Sequence, residues 1–229
     1  IVQSLVGSEM CIRDRSRMFL NINFGAPHTP NEAPQETVNK FDFIDSENRR
    51  IHAAMVYEMD KAIGQIINSL EKNNILDNTI IFFASDNGGL PPNLELDPAI
   101  LNLPYRLGVC NWKRPLSFKV IEWLCSNFDG ASSNKPLPKG KMSVSEGGIR
   151  VPAAIWWPNK IEKHKHLNFI SMIDILPTFI DLVDYENQIE VDGNSQKNIL
   201  LNSGNSEQTK YAVIDVTIYV LSIIDMPYK

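Results

Sequence analysis

A long amphipathic segment followed directly by a short apolar run is the feature that most constrains the fold. From Ser46 to Asn74, in "SENRRIHAAMVYEMDKAIGQIINSLEKNN", apolar side chains recur every three or four residues. This spacing predicts one helix of about 25 residues, with Ser46 as its N-cap and the closing asparagines as its stop. We expect the apolar stripe to pack in the core rather than to bind a cofactor. Its members are Ile51, Met55, Met59, Ile63, Ile66, Ile67 and Leu70.

The apolar run "IIFFAS", from Ile80 to Ser85, follows this helix after a short turn. It is continuous rather than alternating, which predicts a central strand of a parallel sheet, buried on both faces. A helix followed by such a strand is half of a βαβ unit. The predicted fold class is therefore α/β, with a doubly wound, mostly parallel central sheet.

Three further segments carry secondary-structure signals. The apolar stretches "RMFLNINF" (17–24) and "VPAAIWW" (151–157) predict strands. The segment "SMIDILPTFIDLV" (171–183) predicts a helix, because Ser171 and Asp174 form a capping-box pattern and its proline lies near the helix start.

The remaining segments define the expected domain boundaries. Residues 1–16, "IVQSLVGSEMCIRDRS", resemble a translated sequencing adapter and are expected not to be structural. Residues 17–184 are expected to form one incomplete domain, interrupted at 90–135 by an insertion that is either a lid or an artefact such as a retained intron. Within it, "SFKVIEWLC" could be a short helix. Residues 185–229 are poorly defined and end in a β-prone run without a motif; whether 205–229 is genuine stays open.

Composition excludes some classes of protein. A net charge of -5, with 21% charged and 43% hydrophobic residues, argues against a general nucleic-acid-binding protein, which needs a basic face. No run of about 18 apolar residues occurs, so no membrane span is predicted. Cys11, Cys110 and Cys125 form no CxxC pair, which disfavours a structural zinc site. Cys110 and Cys125 could form a disulfide or remain free thiols.

Asp86 and Asn87 leave the carboxyl end of the predicted central strand, in "FFASDNGG". Ligands bind at that edge of open α/β sheets, and a carboxylate and an amide carbonyl are hard oxygen donors for calcium or magnesium. The two glycines that follow allow backbone or substrate to approach closely. The alternative is a simple Asp-Asn-Gly turn.

His28 and Lys141 are candidate groups for binding an anion. His28 lies in the proline-rich loop "GAPHTPNEAP", just past a predicted strand, and Lys141 lies in "KMSVSEGGIR". An imidazole and an ammonium beside a metal ion would suit a doubly charged oxyanion. Alternatively, each is an ordinary solvated surface residue.

Other charged residues are expected to have structural roles or none. Arg150 could pair with Glu146 or Asp174 to hold its loop. The remaining histidines are expected on the helix surface or in loops without a role: His52, His164 and His166.

The order and spacing of these motifs resemble the sulfatase family. The matching stretches are "APHTPNEAP", "HAAMVYEMDKAIGQII", "IIFFASDNGG", "GKMSVSEGGIRVPAAIWWP" and "MIDILPTFIDL". The resemblance covers residues 18–183, and its first two stretches look most like the arylsulfatase B type. It implies an alkaline-phosphatase-like α/β sandwich, here incomplete.

The resemblance also implies a function and a set of site residues. Sulfatases hydrolyse sulfuric esters with a formylglycine made from a cysteine, beside one bound Ca²⁺. By resemblance, Asp86 and Asn87 are two of the calcium ligands, and Lys141 and His28 bind the substrate sulfate. Lys141 would also contact the formylglycine, and His28 could assist the leaving oxygen. The implied substrate is a small sulfate ester or a sulfated glycan, and the implied location is exported: periplasmic, extracellular or lysosomal.

The chain departs from the family pattern at important positions. The Cys-x-Pro-Ser-Arg element and the first two aspartate ligands are absent, since "CIRDR" at Cys11 has neither Pro nor Ser, and Ser145 replaces the usual tryptophan before "EGG". We therefore predict a fragment with no sulfatase activity on its own. Two alternatives remain: a related phosphoester or phosphonate hydrolase, and a non-catalytic sulfatase-like binding module.

Overall fold

The computed structural model describes residues 18–92, 107, 130–165, 170–185, 190–201, 211–217 and 220–225. The predictions for 1–16, "SFKVIEWLC", the cysteines and His166 lie outside these residues, as does most of the 90–135 insertion. The chain divides into two compact units. The first contains Ile1–Ser69 and Asn87–Arg150, and the second contains Leu70–Asp86 and Val151–Lys229.

The first unit is organised by a long helix. Helix α1 (Gln35–Val38) and a 3-10 turn (Asn39–Phe41) precede helix α2 (Glu47–Lys72), which has 26 residues. The Ser46 hydroxyl accepts a hydrogen bond from the Arg49 N–H at 3.4 Å, which agrees with the predicted N-cap. After the helix, Asn74 has φ 56°, a left-handed conformation that asparagine tolerates at helix ends. The predicted helix is confirmed.

The start of the first unit is fixed against helix α2 by buried groups. Thr37 and Val38 of α1 are buried, as are Ala54 and Met55 of α2. The Thr37 hydroxyl donates to the Glu58 carboxylate at 2.5 Å, and this hydrogen bond lowers the pKa of Glu58. The apolar stripe of α2 thus begins in a packed core, as predicted, although most of its other members are only half-buried.

The second unit begins with the predicted apolar strand, but its pairing differs from the expectation. Strand β1 (Ile81–Ala84) pairs antiparallel with strand β2 (Ala153–Trp156), with Ile81 opposite Trp156. Phe83 is 36% exposed and Trp156 41% exposed, so the expectation of a parallel strand buried on both faces is wrong for β1 within the described residues. A continuous apolar run specifies a strand, but neither its burial nor the direction of its neighbour.

The other strand predictions had mixed outcomes. Strand β2 confirms "VPAAIWW", whereas residues 18–24 form no strand apart from bridge pairing at Phe24. Near the end of the chain, β3 (Tyr211–Thr217) and β4 (Val220–Asp225) form an antiparallel pair, as the β-prone run suggested. The described sheets are thus two antiparallel pairs, and the α/β class is confirmed without the parallel sheet.

Helix α4 confirms the capping-box prediction. After helix α3 (Glu146–Ile149), helix α4 (Ile175–Leu182) begins from a 3-10 turn (Met172–Asp174). The fully buried Asp174 carboxylate accepts from the Ser171 N–H at 2.9 Å and from the Asn194 N–H at 2.9 Å. The same carboxylate therefore caps α4 and fixes the segment before helix α5 (Lys197–Leu200). Among the described helices, none has both the length and the apolar character needed to cross a membrane.

Candidate functional site

The structure brings together His28 and Lys141, the two predicted anion-binding residues. The Lys141 Nζ lies 3.0 Å from the His28 Nε2, although the two residues are 113 positions apart. The His28 Nδ1 lies 2.6 Å from the Thr29 carbonyl oxygen, to which it can only donate. This contact assigns the proton to Nδ1 and leaves Nε2 to accept from the lysine ammonium. His28 is exposed and Lys141 is half-buried, so the pair faces solvent.

The loop at Gly88 and Gly89 holds Lys141 through backbone hydrogen bonds. The Gly89 carbonyl accepts from the Lys141 N–H at 3.0 Å, and the Gly88 N–H donates to the Gly148 carbonyl at 2.8 Å. A Cβ on Gly88 would collide with the Gly147 carbonyl oxygen, so the loop needs glycine for its close approach to α3. The two motifs "DNGG" and "EGG" are therefore packed against each other, backbone to backbone.

Arg150 pairs with Glu146, one of the two partners that the sequence suggested for it. The Arg150 guanidinium lies 3.2 Å from the Glu146 carboxylate, and both side chains are largely exposed. Gly147 donates its N–H to the Pro138 carbonyl at 2.9 Å. This hydrogen bond joins a residue before Lys141 to one after it and so fixes the turn that contains Lys141. Because exposed ion pairs contribute little, the backbone contacts are the main restraint on this turn.

Residues 130–134 form a short segment that we call the clasp, and it contacts both α2 and the Gly88–Gly89 loop. The Arg49 Nη1 donates to the Ala131 carbonyl at 2.6 Å, and the His52 Nε2 lies 3.3 Å from the Ser132 Oγ. On its other side, the Asn134 amide bonds both the N–H and the carbonyl of Gly89, at 2.9 Å each. The clasp therefore connects the long helix to the loop that holds Lys141.

His52 corrects the expectation of a surface residue without a role. It is half-buried on α2 and contacts Ser132, whereas His164, also predicted to have no role, is exposed and contacts the Glu162 carbonyl at 2.8 Å. One feature of the sequence could have predicted its partial burial: His52 lies three residues before Met55, which places it beside the apolar stripe of the helix. Ser132 lies in the insertion at 90–135, which has no clear motif or periodicity, so the sequence could not predict its contact with His52.

The predicted metal ligands are consecutive but belong to different units. Asp86 follows β1 in the second unit; its side chain is exposed, and the Ser85 N–H before it donates to the Pro152 carbonyl at 3.2 Å. Asn87 opens the Gly88–Gly89 loop in the first unit and is half-buried. Within the residues that the structure describes, no group of three His, Cys, Asp or Glu side chains is arranged to hold a metal ion. The assignment of this pair to calcium stays a prediction.

The sulfatase family model matches residues 13–185, which is most of the chain. The chain belongs to the sulfatase family. This match includes the loop of His28, helix α2, the "DNGG" and "EGG" motifs and helix α4.

Individual relatives agree with this assignment. The sulfatase chain is 29% identical over 141 residues to N-acetylgalactosamine-6-sulfatase of Homo sapiens, covering 61% of this chain and 21% of the relative. It is 28% identical over 195 residues to an arylsulfatase of Hemicentrotus pulcherrimus, covering 84% and 28%. A crystal structure of Ps i-CgsB in complex with k-i-k-neocarrahexaose has a TM-score of 0.59 and 25% identity, covering 87% and 41%. The chain thus spans about a fifth to two fifths of these proteins.

The stability of this sulfatase chain is expected to depend on the protonation of His52. Burial, and then the neighbouring Arg49 cation, lower the pKa of His52 below 6.5. The folded state binds this proton less readily than the unfolded state. The contribution of His52 to the free energy of unfolding is therefore fully present above pH 6.5 and is lost as the pH falls through the lowered pKa. Urea unfolding between pH 7.5 and pH 5 measures this loss. A His52→Gln variant should lose less stability over the same range, and equal losses would contradict the expectation.

Proposed function

We propose that this chain binds the sulfate group of a sulfuric ester at the Lys141–His28 pair, as part of a sulfatase catalytic domain. The observation that carries the proposal is the 3.0 Å contact between the Lys141 ammonium and the His28 imidazole. A lysine ammonium and an imidazole that converge from distant parts of the chain suit the binding of an anion. The family assignment supports sulfate as that anion.

Lys141 supplies the positive charge for this role. Its ammonium carries three N–H donors, of which the contact with His28 uses one. The side chain is half-buried, so its charge is screened less by water than that of a fully exposed lysine. Such a group stabilises a sulfuryl oxygen most strongly when negative charge builds up on it in the transition state.

His28 is suited to the departing alcohol. Its ring is oriented by the bond from Nδ1 to the Thr29 carbonyl, so Nε2 is the atom that faces Lys141 and the proposed substrate. Because Nε2 carries no proton in this tautomer, a proton must first reach it from the Lys141 ammonium before it can pass to the ester oxygen as the bond to sulfur breaks, which turns a poor alkoxide leaving group into an alcohol.

Calcium fits the donor chemistry of Asp86 and Asn87 in part. A carboxylate and an amide carbonyl oxygen are calcium donors, but a calcium ion takes six to eight oxygen ligands and these residues supply two of its protein groups. When bound, calcium would stabilise negative charge on the sulfuryl group. The sequence contains no Cys-x-Pro-Ser-Arg element from which a formylglycine nucleophile could be made. We assign no calcium ligand in this chain beyond Asp86 and Asn87.

The names of the relatives support a proposal for the substrate class. One relative is named N-acetylgalactosamine-6-sulfatase, and the structure of Ps i-CgsB is a complex with k-i-k-neocarrahexaose. We propose a sulfated glycan as the substrate of the whole protein, with small aryl sulfates as usable probes. Such substrates agree with an exported location.

The test is a titration of the chain with 4-nitrophenyl sulfate in the presence of calcium. We expect the NMR signals of the His28 ring and the Lys141 amide to shift, because the sulfate group binds beside their contact, while no 4-nitrophenol is released. A Lys141→Ala variant serves as the control and should lose the shift of His28. Absence of any shift in the unaltered chain would contradict the binding proposal. Steady release of 4-nitrophenol above the Lys141→Ala level would contradict the prediction that this chain alone is inactive.

A further inference from the structure

The clasp is held on one side by two neighbouring positions of helix α2. The Arg49 guanidinium donates to the Ala131 carbonyl at 2.6 Å, and the His52 Nε2 lies 3.3 Å from the Ser132 Oγ. A bond from a guanidinium to a carbonyl is charge-assisted and stronger than a neutral one. Arg49 and His52 lie three residues apart on one face of α2, so they act on the clasp together.

On its other side, the clasp determines the position of the Gly88–Gly89 loop. The Ser132 N–H donates to the Leu90 carbonyl at 3.0 Å, and Asn134 brackets Gly89 by bonding its N–H and its carbonyl. Gly89 packs so tightly on Ser132 that an added Cβ would meet the serine side chain. A displacement of the clasp must therefore displace Gly89.

Gly89 connects the clasp to Lys141, and so to the proposed sulfate-binding pair of Lys141 and His28. Its carbonyl accepts from both the Asn134 side-chain amide, at 2.9 Å, and the Lys141 N–H, at 3.0 Å. The long Lys141 side chain starts from that backbone and ends 3.0 Å from the His28 Nε2. A small shift of the backbone at Lys141 changes the position of its ammonium, and binding and catalysis are sensitive to displacements of about 1 Å.

We infer that Arg49, His52 and Ser132 are positioning residues, which hold Lys141 against His28 through the clasp and Gly89 without touching the substrate. The inference rests on the proposed function only in assigning sulfate to the Lys141–His28 pair. The positioning itself is a property of the chain and can be measured without any anion.

The chain offers matched controls for this inference. Arg50 adjoins Arg49 on α2, but its guanidinium bonds the Ile44 carbonyl at 3.1 Å and the Asp42 carboxylate at 3.4 Å rather than the clasp. Ser133 adjoins Ser132 and is exposed. The pairs Arg49→Met with Arg50→Met, and Ser132→Ala with Ser133→Ala, therefore compare the same chemical change at neighbouring positions.

The first measurement is the ¹⁵N NMR signal of the His28 ring in the sulfate-free chain. The Nε2 shift reports whether the Lys141 ammonium donates to it, and Lys141→Ala supplies the value for the lost contact. We expect Arg49→Met and Ser132→Ala to move the signal towards that value, and Arg50→Met and Ser133→Ala to leave it unchanged. His52→Gln, which keeps a hydrogen-bonding group near Ser132, should move it less than His52→Leu. An unchanged His28 signal in both Arg49→Met and Ser132→Ala, in chains whose amide spectra show an intact fold, would overturn the inference.

The second measurement is the affinity for inorganic sulfate, which separates this inference from the proposed function. We expect Arg49→Met and Ser132→Ala to weaken sulfate binding by about three- to tenfold, the usual effect of one lost hydrogen bond. If Lys141→Ala binds sulfate as the unaltered chain does, the proposed function fails, while the His28 signal still decides the positioning. If Lys141→Ala abolishes binding and the two clasp variants bind normally, the inference fails and the proposed function stands.

Discussion

Replacing Gly88 by alanine is expected to lower the free energy of unfolding by about 1–3 kcal/mol, the usual cost of overpacking a close contact. The added Cβ would collide with the carbonyl of Gly147, and also with its carbonyl carbon and with Gly148. These atoms belong to backbone, which cannot rotate away as a side chain can. The Gly88 N–H bond to Gly148, at 2.8 Å, would be stretched as the two motifs separate.

Urea unfolding followed by the helical circular dichroism signal measures this effect. With a slope of about 2 kcal/mol per molar urea, the midpoint should fall by roughly 0.5–1.5 M. Gly64→Ala is the control with the opposite sign, because Gly64 lies within helix α2 and nothing lies within 4 Å of an added Cβ. That variant should gain about 0.5–1 kcal/mol from better helix propensity. A Gly88→Ala chain as stable as the unaltered one would show that the motifs do not pack in this way.

Local signals in the sequence predicted local structure well. Helix α2, its start at Ser46 and the capping box at Ser171 and Asp174 all follow from side-chain periodicity and from hydrogen bonds within a few residues. The Glu146–Arg150 ion pair belongs to the same group, since its partners are one helical turn apart. Such features depend little on the rest of the chain.

Features that depend on long-range contacts were predicted less well. The apolar run at β1 predicted a strand, but a strand direction depends on the partner, and β2 arrives from about 70 residues further along the chain as an antiparallel neighbour. His52 looked like a surface residue because its partner Ser132 lies 80 positions away, at the edge of the insertion. The juxtaposition of His28 with Lys141 was expected through resemblance, whereas spacing alone left each as a solvated side chain.

Replacing Lys141 by alanine is expected to weaken the binding of inorganic sulfate by about tenfold or more. A hydrogen bond from a charged donor contributes about 1.5–3 kcal/mol, and the partial exposure of this pair to water brings the loss towards the lower value. The variant removes the ammonium that lies 3.0 Å from the His28 Nε2 and leaves the backbone bond from residue 141 to Gly89 intact. The fold should therefore be preserved while the charge is lost.

The measurement is an NMR titration with sodium sulfate at constant ionic strength, with chloride as the balancing anion, so that general screening does not imitate binding. Lys135→Ala removes the same charge from an exposed position in the same part of the chain and should change the affinity less than twofold. Equal losses in the two variants would mean that sulfate responds to overall charge, because a specific site must distinguish Lys141 from Lys135. A loss confined to Lys141→Ala, with the His28 ring signals no longer moving on titration, would tie the anion to this pair of nitrogen atoms.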